Sequence, residues 1–344
     1  MESPENEADL LVRARAGEAE AFERLAARYR RELVAHCYRM LGSPQDAEDA
    51  VQESMLNAWR GLARFEGRSS LRTWLYRITT NVCLRMSSRR PRRLLSSDYA
   101  PSLTDTADLG EPVPGPVWLE PWPDDLAADE PGPATSYQRR ENVELAFVAA
   151  LQHLPGTQRA VLILREVLEY SAAEVAQIMD TTTASVNSAL QRARKAVETR
   201  VPPVPQQVEL AAIGADGQRE LLDAFVAAWQ RADVDGLVAL LTEDARFTMP
   251  PLPAWFDGRE AVRRFLVERM FATPWRLVPL GSNGQPAFAC YHQDPADLRF
   301  RLSGITVLSL REGRVSALSS FVDPALHPVW GLPREFPEKF RTDR

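Results

Sequence analysis

Between Leu94 and Gln138 the chain carries no Lys or Arg, nine carboxylates and eight prolines, at 101, 112, 114, 116, 121, 123, 131 and 133. Proline removes a backbone donor and clashes with a helix interior, so no helical domain runs through this stretch. It predicts an acidic, Pro-rich linker over 96–135, extended and mobile, with Trp118 and Trp122 as docking points. A shorter break follows at Pro202, Pro203 and Pro205. The 344-residue chain is thereby divided into segments of about 5–95, 136–200 and 210–330.

The linker also reverses what the total charge suggests. A net charge of −6 argues against a nucleic-acid partner, yet without those nine acids the remainder carries +3. With 45% hydrophobic and 26% charged residues the chain reads as globular. It shows no apolar run of membrane-spanning length, and its first residues, Met1 to Glu5, are acidic where a secretory signal would be basic, so it is expected in the cytoplasm with no membrane partner. Cys37, Cys83 and Cys290 lie far apart in apolar-periodic segments and read as core residues, with no metal site and no cofactor expected.

The first segment is helical by spacing. Phe22, Leu25, Ala26, Tyr29, Leu33, Cys37 and Met40 recur at intervals of three and four. Ser43 and Pro44 are an N-cap and a first-turn proline, opening a helix to about Gly61. Its apolar stripe contains Ala47, Val51, Met55, Ala58 and Trp59, while Asp46, Asp49, Gln52 and Glu53 form a polar one. As a pattern, that second stripe is equally a solvated face. After the polar loop Phe65 to Ser70 a third helix, Leu71 to Ser88, ends in the basic run Arg89 to Arg93.

The second segment pairs two short helices. Ser171 and Glu174 make a capping box, Asp180 to Thr182 a tight turn, and a further helix follows with Val186, Leu190, Ala193 and Val197 inward. Its outward set, Ser185, Asn187, Ser188, Gln191, Arg192, Arg194 and Lys195, suits a helix-turn-helix entering a major groove. In the third segment the period changes. Helices around Leu221–Trp229, Leu237–Leu241 and Arg259–Met270 precede alternating stretches at 287–291, 300–310 and 315–322, with Glu312 and Gly313 as a hairpin turn. Helices followed by antiparallel strands predict an α+β domain with a curved sheet.

The run Asp46 to Glu53 with Trp59, the run Phe65 to Asn81, and the run Val186 to Lys195 resemble regions two and four of extracytoplasmic-function sigma factors. The third segment, through Trp255 to Val262 and its terminal strands, resembles the SnoaL-like cone fold of polyketide cyclases and ketosteroid isomerases. The resemblance implies a multidomain chain, two all-α sigma domains followed by an α+β cone, that directs RNA polymerase core to promoter DNA. It implies polymerase contacts at the beta-prime clamp helices through Asp46, Asp49, Gln52 and Glu53, and at the beta flap.

For the minus-ten element the resemblance implies Phe65, Arg68, Ser69, Arg72, Trp74, Arg77, Asn81 and Arg85, with Arg68, Ser69 and Asn81 on a flipped base and Arg72, Arg77 and Arg85 on phosphates. One of Trp74 and Tyr76 is expected to face the core. For the minus-thirty-five element it implies Thr183, Ser185, Asn187, Ser188, Arg192, Arg194 and Lys195. Positions 187 and 189, usually basic in the family, are Asn and Ala here, so fewer phosphate contacts and an Asn187–adenine pairing are expected. The acidic linker would thread the RNA exit path, or act as a plain tether.

The cone is expected to enclose a small-molecule pocket lined by Trp229, Phe247, Trp255, Phe265, Phe288 and Phe300, with Asp257, His292 and Arg299 as polar partners. A cyclase or isomerase needs a desolvated carboxylate or His against its substrate, and no spacing here is diagnostic of one. The domain is therefore read as a non-enzymatic regulator, with a ligand sensor and an isomerase-like enzyme as the alternatives.

Overall fold

A computed structural model describes residues 6–124 and 143–336. These divide into two compact units, one within Met1–Arg92 and Ala146–Val201, the other within Arg93–Leu145 and Pro202–Arg344.

The first unit is all-helical. Helices α1 (Glu7–Arg15), α2 (Ala19–Leu41), α3 (Pro44–Gly61) and α4 (Leu71–Ser87) bury Leu25, Leu33, Cys37, Val51, Leu75 and Cys83 between them. Local chemistry sets the boundaries. Gly42 closes α2 in the left-handed region at φ 72°, where only Gly is free of a Cβ clash. Ser43 accepts from the Asp46 amide at 3.2 Å to start α3, and Ser70 accepts from that of Thr73 at 3.1 Å to start α4. The short α5 (Ser96–Tyr99) belongs to the second unit. The first unit resumes with α6 (Leu145–Gln152), α7 (Gly156–Leu162), a π-helical turn (Ile163–Val167), α8 (Ala172–Ile178) and α9 (Thr183–Val197). A buried arginine joins its halves: Arg159 on α7 donates to the Met40 carbonyl, and Gln152 donates to that of Arg39 at 3.2 Å, so α6 and α7 satisfy the free carbonyls ending α2.

In the second unit α10 (Gln206–Gln230), broken at Gly214, α11 (Val234–Ala239) and α12 (Arg259–Glu268) pack on a six-stranded sheet ordered β2-β1-β6-β5-β4-β3. Its strands are β1 (Leu241–Thr248), β2 (Trp255–Asp257), β3 (Trp275–Ser282), β4 (Gln285–Gln293), β5 (Phe300–Arg311) and β6 (Arg314–Phe321). All pairings are antiparallel except β1 with β6. The last three strands coincide with the alternating stretches, and Glu312 and Gly313 both have positive φ in the β5–β6 turn. The first three have no counterpart in the sequence reading. In β1 a register shift between Leu241 and Arg246 destroys the period-two pattern, and the half-exposed β3 carries Pro279.

The linker differs most from expectation. Through Asp124 it is packed chain belonging to the sheet unit. The Leu103 amide donates to the Trp255 carbonyl at 2.8 Å, the Val113 amide to that of Pro251 at 2.9 Å, and the Trp255 indole to that of Ala100 at 2.7 Å. Leu119 and Trp122 are buried. The clasp for this strap is the β3–β4 turn, Asn283–Gly284, both at positive φ. The Asn283 side chain accepts from the Trp122 amide at 2.8 Å and donates to the Val143 carbonyl at 2.6 Å, thus holding the chain on either side of 125–142. The prolines keep long helices out of the strap, which begins with the four-residue α5, but its Leu103 and Val113 amides still find partners on the sheet side of the unit. The remainder of the expected linker, including Asp125, Asp129 and Glu130, lies outside the described residues.

Candidate nucleic-acid interface

On α3 the polar stripe divides. Asp49, Gln52 and Glu53 are exposed, with the Gln45 amide donating to Asp49 at 3.3 Å and Arg85 paired to Glu53. Asp46 is instead buried against Arg90, because a residue in the first turn, below the Ser43 cap, faces the end of α4. Exposed Leu56 continues the outward face one turn beyond Gln52 and Glu53.

Helix α4 presents Trp74, Arg77, Asn81 and Arg85 at spacings of three and four, the last three exposed and Trp74 half-exposed. Tyr76 is fully buried, which decides which of the two aromatics faces the core. Arg68 is open in its loop, 3.0 Å from Glu66, and Ser69 is half-buried. Two expected contacts fall elsewhere. Phe65 is buried on the Trp74 ring, centroids 4.9 Å apart, since a phenyl ring beside an apolar helix face gains more by packing than by waiting in solvent. Arg72 is half-buried and fully engaged. It chelates Glu32 at 2.8–3.1 Å, and donates to the Tyr170 hydroxyl at 3.2 Å.

The helix-turn-helix has the expected local chemistry. Ser171 and Glu174 cap each other's amides at 2.8 and 3.2 Å, Asp180 turns the chain at φ 51°, and Thr182 caps α9. Thr183, Ser185, Asn187, Ser188, Gln191, Arg192, Arg194 and Lys195 are exposed, while Val186, Leu190 and Ala193 are buried. Ala189 is also buried, so its missing charge costs no outward contact in this arrangement. Arg194 is paired to Glu166 at 2.5 Å. The sequence reading missed Arg165, which donates to the Tyr170 carbonyl and lines a shallow pocket with Asn187, Gln191 and Arg194. A lone Arg in an apolar run carried no signal.

The residues expected to line the cone's pocket are divided between the buried core and the surface. Trp229 and Phe247 are buried in the aromatic core, against Phe225 and Phe271 and against Phe265 respectively. Trp255 is held by the strap, and Asp257 is exposed and paired to Arg246 at 3.2 Å. His292 lies beside Trp275, centroids 5.6 Å apart, and Arg299 pairs with Glu335 at 3.2 Å in solvent. Strand β2 is four places from β4 in the sheet, about 19 Å measured along it at the usual strand spacing, so Asp257 and His292 stand on well-separated strands.

One helical unit whose last helix is capped and outward-facing, together with an α+β unit, defines a promoter-reading factor with an appended domain. Family models agree: sigma-70 region 2 matches residues 25–93, sigma-70 region 4 matches 144–197 and the SnoaL-like domain matches 222–318. The chain is 45% identical over 310 residues to the ECF RNA polymerase sigma factor SigG of Mycobacterium tuberculosis (strain CDC 1551 / Oshkosh), covering 89% of this chain and 82% of that one. It is 30% identical to the RNA polymerase sigma-H factor of Pseudomonas aeruginosa, over 59% of this chain and 98% of that one. The crystal structure of the Mycobacterium tuberculosis extracytoplasmic function sigma factor SigJ shares the fold, with TM-score 0.57 and 24% identity, covering 87% of this chain and 95% of that one. The chain belongs to the extracytoplasmic-function sigma factors, which direct RNA polymerase core to promoter DNA. None of its described helices is long and apolar enough to cross a membrane.

Proposed function

We propose that this sigma factor docks on the beta-prime clamp helices through Asp49, Gln52, Glu53 and Leu56, and on the beta flap through region 4. It opens the minus-ten element with Arg68, Ser69, Trp74, Arg77, Asn81 and Arg85. It reads the minus-thirty-five element with Asn187, Ser188 and Arg192, while Thr183, Ser185, Arg194 and Lys195 hold phosphates. The observation carrying this reading is the exposed face of α9: its polar and basic side chains point outward from a helix whose opposite face is buried. Run-off transcription with purified core tests it. Asn187→Ala should redistribute initiation among promoters differing in the minus-thirty-five element, and an unchanged ranking removes Asn187 from base reading.

The appended domain acts on this scheme as a restraint, not as an enzyme. The clasp at Asn283 favours that reading, because it retains the chain joining region 2 to region 4, the segment a sigma factor threads through polymerase. The scattering of Asp257, His292 and Arg299 speaks against a catalytic site built from them. Mass-spectrometric detection of a retained small molecule would favour a sensor instead.

A further inference from the structure

Arg72 and Tyr76 of region 2 form a platform of the kind that takes an unstacked base, a guanidinium lying over an aromatic ring 4.9 Å from its centroid. That platform is occupied by a residue of region 4. The Tyr170 ring meets Tyr76 edge to face at 5.6 Å, lies 5.4 Å from the Arg72 guanidinium, and accepts its hydrogen bond at 3.2 Å. Glu32 fixes the guanidinium from the other side with a two-pronged carboxylate. Tyr170 is itself buried, and it directly precedes the helix-turn-helix.

Length then decides whether this contact is compatible with promoter binding. Helices α8 and α9 are roughly 10 and 22 Å long, so every residue of the reader lies within about 35 Å of Tyr170. Elements centred at minus ten and minus thirty-five are about 25 base pairs apart, roughly 85 Å of duplex. With Tyr170 on Arg72, the two regions cannot reach both.

We propose that Tyr170 is an intramolecular stand-in for an unstacked promoter base: it latches region 4 onto the Arg72–Tyr76 platform of region 2 and is displaced when single-stranded minus-ten DNA takes its place. The inference rests on the reading of α4 as the minus-ten surface and adds Arg72 to it as a residue shared between latch and DNA.

Binding of a fluorescent single-stranded DNA pool of random sequence to the full chain, without polymerase, tests the latch by anisotropy. Tyr170→Ala vacates the platform and Glu32→Gln loosens the guanidinium from within region 2. Each should raise affinity about tenfold, and Arg72→Ala added to Tyr170→Ala should abolish the gain. Duplex binding reports whether region 4 of Tyr170→Ala has folded; where it has not, Glu32→Gln decides. Affinity no higher than the parent's in both Tyr170→Ala and Glu32→Gln overturns the latch. A gain that survives Arg72→Ala overturns the platform. Substitution of Arg77 and Asn81 that leaves single-strand binding unchanged overturns the underlying reading of α4 instead.

Discussion

Replacing Asn283 by Gly should release the strap that joins the two sigma regions. Asn283 sits at φ 58°, which Gly adopts without a Cβ clash, so the turn survives while the side chain is lost. The side chain's hydrogen bonds disappear with it, those it accepts from the Trp122 amide at 2.8 Å and the Ser282 hydroxyl at 3.0 Å and the one it donates to the Val143 carbonyl at 2.6 Å. Each is worth about 0.5–1.5 kcal/mol net, and each partner left buried and unpaired costs about 1–3 kcal/mol, so the clasp weakens by roughly 2–4 kcal/mol. That shifts the docked-to-released equilibrium by on the order of 30- to 1000-fold. Trypsin has no site between Leu94 and Gln138, so a protease cutting before Asp is the probe, with cleavage at Asp124 followed by mass spectrometry. Asp124 accepts from the Gly284 amide at 2.8 Å and should be cut at least tenfold faster in Asn283→Gly. Transcript yield with reconstituted core should rise with it. Faster cleavage with unchanged yield would refute the restraint, and unchanged cleavage would refute the clasp.

Three further outcomes follow from the helical unit. Asp49→Arg reverses charge on the outward face of α3 without touching its core, and should weaken association with core polymerase about tenfold in a competition assay while circular dichroism stays the same. Burial lowers the His36 pKa to about 3, with Arg39 and Arg72 adding to the effect. The unfolded chain therefore binds a proton that the native state refuses between about pH 3 and 6.5, so stability falls as pH drops through that window, by about 2 kcal/mol from pH 7 to pH 5. Urea midpoints should show that loss in the parent and not in His36→Gln. Arg159→Met removes the buried guanidinium seated on the end of α2, leaving the Met40 carbonyl unpaired, and should cost about 3 kcal/mol in urea unfolding; a loss below about 1 kcal/mol rejects that role.

Much of the helical unit was legible because its signals are local. A serine cap before Pro44, a capping box at Ser171 and Glu174, and apolar residues three and four apart act within one or two turns, so nearest neighbours suffice to read them. The outward face of α9 follows from the same periodicity. Strands β1 to β3 were not legible, since their burial depends on a register shift and on what covers each face. The placing of the expected pocket residues was not legible for a related reason. Aromatic residues at Trp229 and Phe247 announce burial, but whether they line a cavity or fill it is set by their neighbours across the sheet.

By itself the amino-acid order determined that the chain is cut by proline into segments, which of these are helical, and which face of the recognition helix is polar. Backbone chemistry and short-range spacing are sufficient for each. Only the tertiary structure decided that the acidic strap lies on the cone, that Phe65 and Asp46 turn inward, and that Arg72 is shared among Glu32, Tyr76 and Tyr170. The strap, Asp46 and the Glu32 and Tyr170 contacts of Arg72 depend on partners about 40 to 160 residues away, and a polar or aromatic side chain carries no mark of which distant group will satisfy it.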